Sequence, residues 1–367
     1  MDIKPLLQLM VERNASDLFL SVGANVGVKI EGQTAPIKDT KLPVGHVKNL
    51  AYSVMNADQI SLFEQEWEID FSLQIDNLGR FRINVFYERN QVAMVVRYIK
   101  SNIPTIEKLH LPSVLKKLVM APRGLILVVG TTGSGKSTTL ASMIDYRNSH
   151  KTGHILTIED PIEYLYEHKK SIVNQREVGQ DTHSYATALR RALREAPDVI
   201  LIGEIRDMET MKQAIRYAQS GHLCLSTLHA TNAAQTIKRI VNFFPESYQQ
   251  ELLLDLSLSL KAVVSQRLLI ARNRKRIPAV EVMLATPYIR ELIEKGNINE
   301  ISEAIEQDDG KGMQSMESSL HQLYQKNKVS LEEVLHQSDS EHNLSLRIRM
   351  DGGKLNDSFE EMEFIEE

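Results

Sequence analysis

Two different patterns of apolar positions divide this chain. Up to about residue 100, apolar and polar positions alternate over short runs, most clearly at 80–87 and 92–99. This alternation predicts strands with one buried face, and therefore a small α+β domain with a mainly antiparallel sheet. From Arg123 onward, unbroken apolar runs are separated by longer helical patterns, which predicts an α/β domain with a parallel sheet.

The same patterns predict the individual elements. In the first part we expect helices at 3–13 and 46–65 and strands at 18–22, 26–30, 69–73, 80–87 and 92–99. In the second part we expect strands at 125–129, 154–158, 198–202 and 222–227. Helices are expected there at 184–196, 246–271, 285–305 and 313–336.

Prolines and the distribution of charge indicate where the domains end. The pattern lapses near Pro104 and Pro112, which predicts a linker at 101–112 between a domain at 1–100 and a second domain at 113–340. Residues 341–367 are expected to form an acidic, disordered or partner-binding tail, because 357–367 contain acidic residues and no lysine or arginine.

Composition narrows the class of protein. The formal net charge of -5 argues against bulk attraction to nucleic acid or anionic lipid. Cys224 is the sole cysteine, which excludes an internal disulfide or a cysteine-rich zinc site. No apolar run is long enough to span a bilayer, and the N-terminus lacks the form of a signal peptide. We expect a cytoplasmic protein.

One stretch carries the strongest chemical signal. It fits the phosphate-loop pattern G-x-x-x-x-G-K-[ST] at every fixed position and lies between an apolar strand and a predicted helix. Its residues are Gly130, Thr131, Thr132, Gly133, Ser134, Gly135, Lys136 and Ser137, followed by Thr138. The loop amides and helix N-terminus would cradle the phosphates of ATP, Lys136 would reach the β- and γ-phosphates, and Ser137 would bind Mg²⁺.

Polar residues follow the other predicted strands. Because ligands bind beyond the carboxyl ends of parallel strands, these groups and the phosphate loop are expected to form one site for phosphoryl transfer to water. Glu204 fits the acidic residue that supports the Mg²⁺ shell. Glu163 and Glu159 both remain candidates for the base that orients the attacking water, since spacing does not choose between them.

Histidines and arginines give weaker signals. His229 follows a predicted strand and could sense the γ-phosphate, whereas His222 precedes that strand and is expected at its opposite end. Arg80, Arg82 and Arg97 are expected on a solvated sheet face, with an arginine finger as the sharper alternative. The basic run at 272–276 is expected to be a charged hairpin loop rather than a nucleic-acid patch.

Taken together, the motifs resemble the retraction ATPases of bacterial type IV pili, within the secretion ATPase superfamily. The resemblance covers roughly residues 1–340 and rests on ordered matches at 79–82, 130–137, 157–163, 174–179, 198–204 and 220–229. It implies a PAS-like N-terminal domain, a RecA-like P-loop ATPase domain and a homo-hexameric ring that acts peripherally at the inner-membrane platform of the pilus base. It also implies that Glu163 is the catalytic glutamate, that Glu204 is the Walker B residue, and that His222, His229, Arg82 and Arg97 take part in catalysis.

Two features favour the PilU branch of this family over the PilT branch. The charge pattern at 288–295 departs from that of PilT, and the chain continues beyond the usual PilT end. The resemblance therefore leaves two functions open: a retraction motor, or an ATP-binding accessory subunit that acts through a PilT-type ATPase. A DNA-translocating ATPase is disfavoured by the acidic balance, so no nucleic-acid partner is expected.

Overall fold

The computed structural model describes residues 2–30, 33–99, 102–310 and 312–350. The described chain forms two compact units. The first contains the residues up to 102 together with 163–165, and the second contains the remainder.

The first unit contains an antiparallel sheet and three helices. The helices are α1 (Lys4–Glu12), α2 (His46–Tyr52) and α3 (Ala57–Glu66). The strands are β1 (Asp17–Leu20), β2 (Asn25–Ile30), β3 (Gln33–Lys41), β4 (Glu68–Ile75), β5 (Gly79–Glu88) and β6 (Gln91–Ile99). Their order is β3-β2-β1-β6-β5-β4, and every neighbouring pair is antiparallel, as predicted.

Alternation along the strands builds the core of this unit. Phe81, Ile83 and Val85 on β5 are fully buried and pack with residues of all three helices, whereas Arg82 and Asn84 between them lie on the other face. The single helix expected at 46–65 is two helices. Asn56 begins the second with a capping box, in which its side chain and that of Gln59 each accept a backbone hydrogen bond from the other.

The second unit is built on a seven-stranded sheet. Its strands are β7 (Gly124–Val129), β8 (Gly153–Glu159), β9 (Ser171–Glu177), β10 (Val199–Ile202), β11 (Leu223–Leu228), β12 (Leu260–Ile270) and β13 (Arg276–Leu284). Their order is β13-β12-β7-β11-β10-β8-β9, and all neighbours are parallel except the β12–β13 hairpin. The hairpin turn holds the basic run 272–276, as predicted.

Helices cover this sheet. They are α4 (Val114–Val119), α5 (Lys136–His150), α6 (Tyr185–Ala192), α7 (Met208–Gln219), α8 (Ala233–Asn242), α9 (Glu246–Ser259), α10 (Pro287–Lys295), α11 (Ile301–Gln307), α12 (Met316–Gln325), α13 (Leu331–His336) and α14 (Glu341–Met350). Alternate residues of β7 enter two different cores: Leu125, Leu127 and Val129 pack on one face, and Ile126 and Val128 on the other. Burial on both faces explains why this strand is a continuous apolar run.

The structure corrects further predictions. The helices expected at 285–305 and 313–336 are each divided in two, into α10 and α11 and into α12 and α13. The helix expected at 246–271 ends at Ser259, and the chain continues as β12, the neighbour of β7. The expected linker at 101–112 does not stand apart, since Ile106 and Leu111 are buried in the core of the second unit. Residues 341–350 of the expected tail form α14, whose Leu344 and Ile348 are buried, and 351–367 lie outside the described residues.

We expect Ile348→Ala to weaken the attachment of α14, because it removes a side chain that is 1% exposed. The free energy of opening α14, measured by amide hydrogen exchange, should fall by about 2–3 kcal/mol. Leu346→Ala on the same helix is the matched control: Leu346 is 42% exposed, and its truncation should change the value by less than about 0.5 kcal/mol. Equal effects of the two substitutions would contradict the packing of α14.

Candidate functional site

The phosphate loop lies at the carboxyl edge of the parallel sheet. It joins β7, which is buried between β11 and β12, to α5, whose first residue is Lys136. Gly130, Gly133 and Gly135 all have positive φ angles, which residues other than glycine rarely adopt. The spacing of glycines in the motif therefore matches the backbone conformation that the loop needs.

Lys136 lies along the inside of this loop. Its Nζ atom donates hydrogen bonds to the carbonyl oxygens of Gly130 at 2.9 Å and Thr131 at 2.8 Å. Burial lowers the pKa of Lys136, and the negative charge of Glu204 partly offsets this shift. A partly desolvated cation whose hydrogen-bond acceptors are neutral carbonyls is suited to attract an anion into the loop.

The loop also has the features needed for a phosphate group. Ser134 Oγ is buried and has no hydrogen-bond partner within the described residues, which leaves its hydroxyl able to donate to an anion. Ser137 is exposed in the first turn of α5, where unpaired backbone amides and the helix dipole favour negative charge. The residues present therefore fit the phosphates of ATP, and the Ser137 hydroxyl fits a Mg²⁺ ligand.

Strand β12 holds the loop from the side. The Thr139 hydroxyl donates a 2.7 Å hydrogen bond to Gln266 Oε1, and both side chains are buried. A Cβ atom at position 130 would lie 2.5 Å from the Gln266 carbonyl oxygen, and one at position 135 would lie 2.8 Å from Gln266 Nε2. The Gln266 backbone therefore excludes a Cβ atom at position 130, whereas at position 135 the Gln266 side chain would have to shift to admit one.

Glu204 is held by two cationic or ionisable partners. Its Oε2 atom accepts a hydrogen bond from Arg206 Nε at 2.8 Å, and its Oε1 atom lies 3.0 Å from His229 Nε2. The parallel register of β10 and β11 brings the two strand ends together, and the Thr227 hydroxyl donates to the Gly203 carbonyl at 2.7 Å. The predicted meeting of Glu204 and His229 therefore occurs in the structure.

The two candidate glutamates after β8 have different surroundings. Glu159 is 8% exposed, and it accepts hydrogen bonds from Thr157 Oγ1 at 2.7 Å and from Gln175 Nε2 at 3.3 Å. Glu163 is exposed and forms no hydrogen bond or ion pair with any described residue. Glu159 is thus fixed by its neighbours, whereas Glu163 keeps a solvated carboxylate.

Tyr185 is a member of this edge that the sequence analysis missed. A Cβ atom at position 203 would lie 2.8 Å from the Tyr185 hydroxyl oxygen, so the phenol lies directly against Gly203. Burial, then the charges of Asp160 and Glu159, raise the pKa of Tyr185 above its ordinary value and keep the phenol neutral. No sequence pattern indicates that a tyrosine at the start of a helix will reach this site. The pairing of Glu204 with Arg206 could have been predicted, because the two opposite charges are only two residues apart.

His222 is not brought to the loop. It directly precedes β11, and its carbonyl accepts a hydrogen bond from Gly124 N at the amino end of β7. Its Nδ1 atom lies 3.1 Å from Ser220 Oγ. Six residues of β11 separate His222 from His229, about 23 Å at the usual rise of a strand. Its catalytic assignment stays a prediction, and its position gives no support for direct action at the loop of its own chain.

Arg82 and Arg97 are cross-strand neighbours in the N-terminal unit. Arg82 Nε lies 3.5 Å from Asp70 Oδ1, and Arg97 Nε donates a 2.8 Å hydrogen bond to Asp17 Oδ1. Both guanidinium groups therefore have carboxylate partners within their own sheet. The catalytic roles of these arginines stay predictions.

The model of the family described as "Type II/IV secretion system protein" matches residues 2–340.

The chain belongs to this family.

Members of this family with pilus functions are among its relatives. The type IV pilus ATPase PilU of Pseudomonas aeruginosa is 46% identical over 351 residues, which cover 95% of this chain and 92% of that protein. The pilus ATPase PilT of the same organism is 44% identical over 332 residues, which cover 90% of this chain and 96% of PilT. The predicted resemblance to the PilT and PilU type is confirmed.

A solved structure of the pilus retraction motor PilT with bound ADP has the same fold. It superposes with a TM-score of 0.88 at 43% identity, covering 94% of this chain and 99% of that one. The predicted fold class, a PAS-like α+β domain followed by a RecA-like P-loop ATPase domain, is confirmed as that of a secretion ATPase.

We expect Gly130→Ala to disrupt the phosphate loop, because the added Cβ would collide with the Gln266 backbone. The affinity for a fluorescent ATP analogue should fall at least tenfold, equivalent to about 1.4 kcal/mol. Gly133→Ala is the matched control: it also has a positive φ, but no atom lies within 4 Å of its Cβ position. An equal loss of affinity in both variants would show that backbone strain, rather than contact with β12, sets the requirement at position 130.

Proposed function

We propose that this chain is a Mg²⁺-dependent ATPase motor of the type IV pilus machinery that powers or assists pilus retraction as a homo-hexameric ring. One observation carries the proposal. The phosphate loop and Glu204, with its partners Arg206 and His229, lie at the carboxyl edge of the same sheet. The chain is 46% identical to the pilus ATPase PilU and 44% identical to PilT. This arrangement supports hydrolysis of ATP by the chain itself.

The loop residues bind and orient the substrate. The amides of the loop and the Ser134 hydroxyl donate to phosphate oxygens, and Lys136 leaves its two carbonyl acceptors to pair with the β- and γ-phosphates. Ser137 and Glu204 would hold Mg²⁺. When bound, this ion neutralises charge on the phosphate oxygens during transfer.

Among the glutamates, Glu163 is the better candidate for the base. Glu159 already accepts two side-chain hydrogen bonds, from Thr157 and Gln175, whereas Glu163 has no hydrogen-bonding or ionic partner among the described residues. A free carboxylate can accept a proton and orient a water molecule, while the engaged one serves to fix the end of β8. We therefore assign Glu163 to the water and Glu159 to positioning.

His229 and Arg206 couple the site to the state of the nucleotide. Both now contact Glu204. If a bound nucleotide draws Glu204 away from these partners, the His229 imidazole would be free to turn toward the γ-phosphate, and Arg206 would lose its carboxylate partner. Loss of the γ-phosphate on hydrolysis would restore the present contacts, which provides a two-state element at the strand ends.

Assembly would supply the remaining groups. We propose that Arg82 and Arg97 approach the phosphates and that His222 acts across the boundary between subunits of the ring. The ring would act in the cytoplasm, at the inner-membrane platform protein of the pilus base, together with a PilT-type ATPase and without a nucleic-acid partner. Within the described ranges, no helix combines the length and apolar character needed to cross a bilayer.

A second function is an ATP-binding accessory subunit that acts through a PilT-type ATPase. The observation favouring it is the match to PilU, which extends over 351 residues compared with 332 for PilT. The discriminating test is Lys136→Ala in cells that contain an intact PilT-type ATPase. Retention of the cellular role would favour the accessory function, and its loss would favour a motor whose own turnover is needed.

We expect Glu163→Gln to separate ATP binding from hydrolysis. The amide keeps the size of the side chain but is not a base, so turnover should fall about 10²–10⁴-fold, while affinity for ATP stays within about threefold. Glu167→Gln is the matched control, because Glu167 is also exposed and lies four residues farther along. Unchanged turnover of Glu163→Gln, with loss in Glu159→Gln instead, would reverse the assignment.

A further inference from the structure

The turn between β12 and β13 is strongly basic. Arg272, Arg274, Lys275 and Arg276 are all exposed there, and the only uncharged residue among them is Asn273. The Asn273 side chain accepts a hydrogen bond from the Lys275 backbone at 3.0 Å, which fixes the turn. Four cations are therefore displayed on a short, ordered hairpin.

The fold adds two lysines to this turn. Ala271 forms a β-bridge with Val329, and Arg272 N donates a 2.9 Å hydrogen bond to the Lys328 carbonyl. These contacts place the exposed Lys326 and Lys328 beside the hairpin. We call the six residues Arg272, Arg274, Lys275, Arg276, Lys326 and Lys328 the basic hairpin surface.

The cations of the basic hairpin surface are not paired with carboxylates in the part of the chain that the structure describes. None of its six side chains forms an ion pair or hydrogen bond with another described residue. The nearby Glu333 carboxylate accepts a hydrogen bond at 3.0 Å from the backbone of Ile270, whose own side chain is 62% exposed. Clustered like charges repel one another and create a positive potential that favours an anionic occupant.

The same chain contains a segment of opposite charge. Residues 351–367 hold seven acidic residues and one lysine, while the formal net charge of the whole chain is -5. The rest of the protein, residues 1–350, therefore carries no net negative charge. Phe359, Met362, Phe364 and Ile365 lie between the acidic residues, so the segment offers apolar contacts for Ile270 as well as carboxylates for the cations.

The attachment point of this segment is close to the basic hairpin surface. Leu344 and Ile348 of α14 pack in one cluster with Leu269, Ala271 and Ile277, which form the base of the hairpin. The chain leaves α14 at Met350, so residue 357 can lie up to roughly 25 Å away at the extended spacing of about 3.3–3.6 Å per residue. Such a short tether gives a local concentration of order millimolar, enough for weak ion pairs to act together.

We propose that the acidic segment 357–367 binds the basic hairpin surface of its own chain. Its carboxylates pair with the six cations, and its apolar side chains cover Ile270. This contact is independent of the ATPase site and of the function proposed for it.

Zero-length carbodiimide cross-linking of the full-length protein, read by peptide mass spectrometry, tests this contact. Amide links should form between the glutamates at 360–367 and Lys275, Lys326 or Lys328. The yield should exceed that at the exposed control lysines Lys117 and Lys170 at least fivefold and fall in high salt, because the pairs are exposed. A mixture of ¹⁴N- and ¹⁵N-labelled protein should give links within one isotope only.

Charge-neutralising variants test which cations matter. Arg274→Gln with Arg276→Gln keeps all three reactive lysines and should lower the yield about fivefold, since two exposed ion pairs are lost. Arg191→Gln with Arg194→Gln, on exposed residues elsewhere, should leave it unchanged. Links spread evenly over all lysines, insensitivity to the hairpin substitutions, or links between the two isotopes would overturn the proposal. The last result would instead assign the segment to a second copy.

Discussion

The close contact between β12 and the phosphate loop is the constraint on which the site depends. Gln266 binds Thr139 in the first turn of α5, its backbone carbonyl leaves no room for a Cβ at Gly130, and its side-chain amide lies close to Gly135. This contact exists because β12 pairs in parallel with β7 and ends its pairing at Val129, immediately before the loop. The loop is thus shaped from both sides, by the strand that precedes it and by a strand more than 130 residues later in the chain.

The same strand connects the loop to the C-terminal helices. Arg267, next to Gln266, binds Asp339 through its guanidinium group at 2.6 Å and donates to the Gln337 carbonyl. Asp339 N in turn donates to Glu317 on α12. These contacts join β12, beside the phosphate loop, to α12 and to the residues just before α14.

The sequence was sufficient to predict strands that are buried on both faces of a sheet and loops whose backbone is fixed by a motif. It predicted β7, β8, β10, β11 and the phosphate loop, and it placed Glu204 and His229 at one edge. It missed β3 and β9, which show no long apolar run, and it did not predict β13, an edge strand that is mostly buried. It extended the helix at 246–259 into β12, because a dense apolar run is equally suited to a buried helix and a buried strand. Gln266 and Tyr185 were missed for a related reason: only the tertiary fold brings them to the loop and to Gly203.

The most direct test of the central claim is the rate of ATP hydrolysis by the purified protein alone, measured beside Lys136→Ala. The loop geometry predicts steady turnover that is lost in the variant, because Lys136 is the cation that lies against the loop carbonyls. An autonomous motor would show this turnover without a PilT-type partner. Turnover that is negligible alone and appears only when a PilT-type ATPase is added would contradict an autonomous motor. That result would make this chain an accessory subunit whose site is completed by its partner.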